Sequence, residues 1–223
     1  MEAYLQDKLS RFHYFFSNEK YNEAAIVCDE VIADSKQVLA NRENNTESEN
    51  NLRYVAGIMF KGFAEFIQLH NLTKSYNWEK DFKKVESIWN VMCDSTDHLN
   101  FSAGAMEAEP LTKVLDRLEK FSKLFTKMFG KGLYASPVII ISKETCSICH
   151  QDVRACEHRQ GKLYNGVICR HVADTISSME SVDLVQVPKD PRCRLWPWNK
   201  KKNGAYDIRI LNMTSMDDFL YES

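Results

Sequence analysis

Leu5, Leu9, Phe12 and Phe16 recur every three or four residues, the spacing that lines one face of an α-helix. Ser17 or Asn18 can cap a second helix, in which Ala24, Cys28, Val31, Ser35, Val38 and Leu39 share a face. Residues 41–51 hold no apolar side chain and predict a solvated loop. Val55, Met59, Phe63, Phe66, Ile67 and His70 mark a third helix, and Trp78, Phe82, Val85, Trp89 and Met92 a fourth. Asn100 to Glu109 reads as a connection. Pro110 suits a first helical turn, Leu111, Val114, Leu118, Phe121, Phe125 and Met128 follow it, and Gly130 and Gly132 supply a stop. These stripes read as the core of a helical bundle; a partner groove along one of them is the sharper alternative.

Beyond residue 135 the pattern changes. Val138-Ile139-Ile140-Ile141 follows Pro137 as a short β-branched run and predicts a buried strand. Val167 to Ile176 and Val182 to Val187 predict two more, with Ser177-Ser178 between them. Tyr206 to Leu211 alternates like a final strand, and Ser215 to Leu220 reads as a short helix. The expected fold class is α+β: an α-helical bundle domain over 1–135, then a small, β-rich, zinc-binding α+β domain over 136–223.

Composition narrows the function. Of 223 residues, 44% are apolar and 27% charged, the balance of an ordinary globular chain. The net charge of −2 excludes a molecule that is basic all over. No stretch of 18 apolar residues predicts a membrane span. The start, Met-Glu-Ala-Tyr-Leu-Gln-Asp, lacks the basic and apolar regions of a signal peptide, so a cytoplasmic location is expected. Cys28 and Cys93 fall on helical stripes, whereas Cys146, Cys149, Cys156, Cys169 and Cys193 lie close together. Seven is an odd number, and without a secretion signal such a cluster points to a metal rather than to disulfides.

The metal motif is Cys146-x2-Cys149-x6-Cys156-x-His158. A tight turn across Cys-x2-Cys aims two thiolates at one ion, at about 2.3 Å from each sulfur. Cys156 and His158 are two apart, so on extended backbone they point the same way. Three thiolates and one imidazole suit tetrahedral zinc, and four protein ligands close the site, which marks a structural rather than a catalytic ion. His150, Cys169 and His171 are spare candidates, and Cys169 can stand in for Cys156 or His158. Cys193 lies beyond two predicted strands and is set aside.

The longer pattern runs Cys146-Ser-Ile-Cys149-His-Gln-Asp152-x-Arg154-x-Cys156-Glu-His158-x-x-Gly161-x-x-Tyr164-x-Gly166-x-x-Cys169. It resembles a small zinc-knuckle module of uncharacterised bacterial and phage-associated proteins, as does the continuation Ser181 to Pro188. The resemblance implies a bacterial or mobile-element origin and a metal-stabilised β fold, but no reaction. The helical part resembles no family.

An HNH-type nuclease also joins a Cys-x2-Cys knuckle to a His-Asn-His set, and His158, Asn165 and His171 occur in that order. The gap from His158 to Asn165 is short for the usual hairpin, and a second Cys-x2-Cys is missing. A RING-like domain lacks its second metal site here. A last feature is the basic aromatic segment 189–209, where Arg192, Arg194, Lys200, Lys201 and Lys202 surround Trp196 and Trp198. Cations beside stacking rings suit single-stranded nucleic acid, and equally an acidic protein with tryptophan anchors. A basic hairpin whose tryptophans pack inward is the plainer reading. The expected function is a non-enzymatic adaptor with a protein partner, with an HNH-like nuclease as the alternative.

Overall fold

A computed structural model describes residues 2–199, in which five helices precede a small antiparallel sheet region, an α+β fold. The chain divides into two compact units, the first running to Met128 and the second starting at Phe129. The strand expected at Tyr206–Leu211 and the helix expected at Ser215–Leu220 lie outside the described residues.

The first unit is built from α1 (Glu2–Ser17), α2 (Tyr21–Ala40), α3 (Glu47–Thr73), α4 (Phe82–Ala103) and α5 (Glu109–Phe129). Its core is the set of apolar stripes. Phe12 stacks on Phe63 with ring centroids 4.2 Å apart and meets Phe16 at 5.5 Å and the edge of Phe60 at 6.1 Å. Each such pair adds about 0.5–1.5 kcal/mol beyond the area it buries. The backbones of α3 and α4 approach closely at Gly62, where a Cβ would lie 2.7 Å from Leu99 Cγ. Ser95 Oγ donates to the Gly62 carbonyl at 2.8 Å and satisfies its own burial there.

Three helix boundaries differ from expectation. The polar stretch 41–51 is not loop throughout, because α3 starts at Glu47. Thr46 Oγ1 accepts from the Glu49 N–H and the Glu49 carboxylate accepts from the Thr46 N–H, a capping box that needs no apolar residue. The buried Asn50 donates to the Arg42 carbonyl at 2.8 Å. Trp78 belongs to a single 3₁₀ turn, and α4 starts at Phe82, where the Asp81 carboxylate accepts from the Lys84 N–H. Finally, α4 continues past Asn100 to Ala103, with Ser102 Oγ donating to the His98 carbonyl at 2.9 Å.

In the second unit β1 (Leu133–Cys146) and β4 (His171–Val185) form a long antiparallel ribbon, from Tyr134 opposite Val185 to Cys146 opposite His171. The short β5 (Arg194–Leu195) pairs with Leu133 and Tyr134 only, and β2 (Leu163–Tyr164) with β3 (Val167–Ile168) makes a separate hairpin. Val138 to Ile141 is strand as expected, but it is not buried: Ile139 and Ile141 are each 38% exposed. The ribbon is two strands wide there, since β5 pairs with β1 only at Leu133 and Tyr134. The strand expected over Val167–Ile176 breaks at Cys169-Arg170, and Val182 continues β4 rather than opening a new strand, since β4 runs straight through Ser177-Ser178.

The base of the ribbon is held by Arg194, which is buried and donates through Nη2 to the carbonyls of Phe129 (2.8 Å) and Gly130 (3.0 Å). Gly132 makes room for it: with φ at +82°, a Cβ there would fall 3.0 Å from Arg194 Cζ and 3.0 Å from Tyr134 Oη.

Candidate metal centre

Cys146, the last residue of β1, is fully buried. The chain turns tightly after it: His150 N–H donates to the Cys146 carbonyl at 2.8 Å, and His150 takes a positive φ of 58° to close the turn. This turn aims the Ile148 N–H at Cys146 Sγ, 3.4 Å away. A 3₁₀ turn over Val153–Ala155 follows, capped by Asp152, whose carboxylate accepts from the Arg154 N–H at 2.9 Å. The Arg154 guanidinium closes on the same carboxylate at 2.6 Å and holds it well below the usual carboxylate range. Cys156 then lies in extended backbone. Its sulfur stands 3.4 Å from Cys149 Sγ and 3.3 Å from His158 Nδ1, and it accepts the His158 N–H at 3.2 Å.

The result is one group: the sulfurs of Cys146, Cys149 and Cys156 and one imidazole nitrogen of His158 lie within 4.8 Å of one another. Such a cluster of soft donors can hold a metal ion. The His158 and Tyr164 rings meet edge to face at 4.6 Å and 90°, and the Tyr164 hydroxyl accepts the Arg159 N–H at 3.0 Å, so Tyr164 packs against the imidazole. Tyr164 stands within the quoted motif, but nothing in the sequence gives it this role.

Charge is one reason why the cluster suits a cation. Burial alone would raise the Cys146 thiol, yet the N–H groups of Cys149 and Ile148 and the thiols of Cys156 and Cys169 bring it down to about 6. Burial pushes Cys156 up to about 11, and the neighbouring sulfurs reinforce the shift. One thiolate is therefore accommodated, and a second is resisted. A divalent ion removes that conflict by letting the remaining thiols ionise as ligands.

The spare candidates separate clearly. Cys169 is fully buried with its sulfur 3.7 Å from that of Cys146, and burial, followed by the hydrogen bond to Cys146 and then its charge, pushes it up to about 11. It is fixed by the β2–β3 hairpin, where its N–H donates to the Lys162 carbonyl and its carbonyl accepts the Gly161 N–H, both at 2.8 Å. That hairpin turns at Asn165-Gly166, both with positive φ (50° and 73°), the two-residue turn whose twist matches paired strands. His171 sits opposite Cys146 in the ladder, and His150, His171 and Cys193 are not members of the group.

In the described part of the basic aromatic segment, residues 189–199, several side chains have partners within their own unit. Arg192 is paired with Asp190 at 2.9 Å, with 9% of its side chain exposed. Arg194 stands over the Trp196 ring, 4.5 Å from its centroid, and the buried Trp196 stacks on Trp198 at 4.9 Å. Lys200, Lys201 and Lys202 lie outside the described residues. In the helical unit the scattered histidines have structural neighbours: His98 Nδ1 lies 2.7 Å from Glu65 Oε2, His70 packs on the Tyr21 ring, and His13 Nε2 meets Lys113. No described helix is long and apolar enough to cross a membrane. Compared with known protein-family models, with curated proteins and with solved structures, the chain matches none.

Proposed function

We propose that this chain is a non-enzymatic, zinc-containing binding or adaptor protein of a bacterial complex, acting in the cytoplasm. The observation that carries the reading is the grouping of three cysteine sulfurs and one histidine nitrogen within 4.8 Å. Zinc is the ion this donor set suits, and four protein donors leave no position open for a substrate or an activated water. The metal then does structural work: it ties the end of β1 to the Cys156–His158 segment and keeps a recognition surface rigid. The helical unit supplies a surface for a protein partner, and residues 189–209 are the part of the chain suited to an acidic protein or to nucleic acid. A complex that deals with phage or mobile DNA is the setting implied by the resemblance of the knuckle.

An HNH-like nuclease has less support. As a zinc ligand His158 would not serve as a free base, and Asn165 stands at the positive-φ turn of the β2–β3 hairpin. The deciding experiment pairs elemental analysis with a cleavage assay on the purified protein. The expected result is one equivalent of zinc and no cutting of DNA or RNA with Mg²⁺ or Mn²⁺. Cleavage that disappears in Asn165→Ala or His171→Ala would replace the adaptor reading with the nuclease.

A further inference from the structure

The middle of the β1/β4 ribbon carries no charged side chain from Ser136 to Ser142 on one strand, nor from Thr175 to Met179 on the other. Cross-strand pairing sets Pro137 opposite Val182, Ile139 opposite Met179 and Ile141 opposite Ile176. Directly opposed residues share a face, so the Ile139/Met179 and Ile141/Ile176 pairs put four apolar side chains on one side of the ribbon, although β4 bulges at Ser177 and Glu180 between the paired positions. It is open: Ile139 and Ile141 are 38% exposed, Met179 57% and Ile176 59%. A two-stranded ribbon with its apolar face in water is marginally stable at best.

We infer that this face is a dimer interface, packing against the same face of a second copy of the chain. The patch suits itself. It sits in the middle of the ribbon between polar ends, Ser136 opposite Asp183 on one side and the Lys143–Asp174 ion pair on the other. A two-fold axis through its centre lays the Ile139/Met179 pair of one copy on the Ile141/Ile176 pair of the other, with Glu180, at the bulge beside Met179, the nearest charge along β4. Such an isologous contact needs a self-complementary patch, and stacked sheets offer the geometry. The area agrees: the four exposed side chains leave on the order of 400 Å² per copy, so about 800 Å² from two, against the roughly 900 Å² apolar share of a standard ~1,600 Å² interface. Edge-to-edge pairing is the poorer solution, because Pro137 lacks an N–H on β1 while Asp174, Glu180 and Asp183 are spaced along β4.

The test is the solution mass of the full chain by sedimentation velocity and light scattering across a micromolar dilution series. The expected species is a dimer of about 52 kDa, twice the 25.9 kDa chain. Ile139→Lys and Met179→Lys, one on each strand, each weaken it by about tenfold or more, the loss typical of a central interface side chain. Ser181→Lys, placed opposite Val138 rather than on the apolar face, leaves the dimer intact. Both apolar positions are more than a third exposed, so the monomer tolerates lysine there, which unchanged far-ultraviolet circular dichroism verifies. A wild-type chain that is monomeric throughout the series, or a dimer that both lysine variants leave unweakened, overturns the inference.

Discussion

The sulfurs of Cys146 and Cys169 stand 3.7 Å apart, both fully buried, although 22 residues separate them in the chain. In a tetrahedral site with zinc about 2.3 Å from each sulfur, two ligating sulfurs are separated by about 3.8 Å. Cys169 therefore occupies a ligand-like distance while the imidazole of His158 fills the four-donor group. The thiol in that place shares a hydrogen bond with Cys146 Sγ and helps to bring the Cys146 thiol down. Cys169→Ala is expected to retain zinc but to hold it about 10–100-fold more weakly, as for other groups that support a ligand from behind. A chelator competition series measures this. Complete loss of metal in Cys169→Ala would make Cys169 itself a ligand.

Cys146→Ser should remove the metal outright. Structural zinc binding is folding free energy for the segment that holds it, so the second unit is expected to lose ordered structure while the helices remain. The aromatic core around Phe12 and Phe63 has no part in the metal group and should keep its far-ultraviolet helical signal. Fluorescence should change, because Trp196 and Trp198 stack in the second unit. The same split is expected when a strong chelator strips the wild-type protein. Joint loss of the helical signal would show that the two units do not fold separately.

The Glu65–His98 contact predicts a pH dependence in the helical unit. Burial raises the Glu65 carboxyl, and the hydrogen bond to His98 only partly opposes it. A raised value means that the folded state holds this proton more tightly than the unfolded chain, whose carboxyl titrates near pH ~4.3. The stability contributed by this proton is thus fully present below that value and is lost as pH rises through the folded value. Glu65→Gln cannot ionise, so its melting temperature should gain on wild type as pH is raised from mildly acidic to neutral. A difference that stays constant across that range would contradict the assignment.

The apolar stripes of α1 to α5 were legible because a 3.6-residue period has to be satisfied by burial. The first turn of α3 was not, since an apolar pattern cannot mark a helix start made of Glu47, Ser48 and Glu49; its signal was Thr46-x-x-Glu49. The run Val138 to Ile141 announced strand, but its burial depends on a second layer, and β-branched residues do not say whether one exists. In the metal centre, Cys-x2-Cys and Cys-x-His were readable because their spacing is local geometry. The approach of Cys169 depends on a hairpin turning at Asn165-Gly166, whereas along the chain the order His158, Asn165, His171 points only to a nuclease set. The burial of Arg194 depends on Gly132, sixty-two positions earlier, a relation no local pattern can carry.

Arg194 and the lysines after it make the last prediction, because they separate structure from recognition within one basic segment. Arg194 donates to two backbone carbonyls from a buried position. Lysine cannot reproduce a planar guanidinium that meets two acceptors and stacks on Trp196 at once. Arg194→Lys should therefore cost about 1.5–3 kcal/mol, the range for hydrogen bonds to charged groups, read as a lower urea midpoint at constant slope. Lys200→Ala/Lys201→Ala/Lys202→Ala should leave that midpoint unchanged and act on binding instead. If the segment meets single-stranded nucleic acid, affinity falls with salt at a log–log slope of roughly −0.7 per phosphate contact, and the triple variant flattens the slope. If it meets a protein through tryptophan anchors, the salt response is far weaker. Titrating single-stranded DNA and RNA at several salt concentrations measures the difference. Absence of binding at low salt would take nucleic acid off the list of partners, and a triple variant with a lowered urea midpoint would show that the lysines, too, are structural.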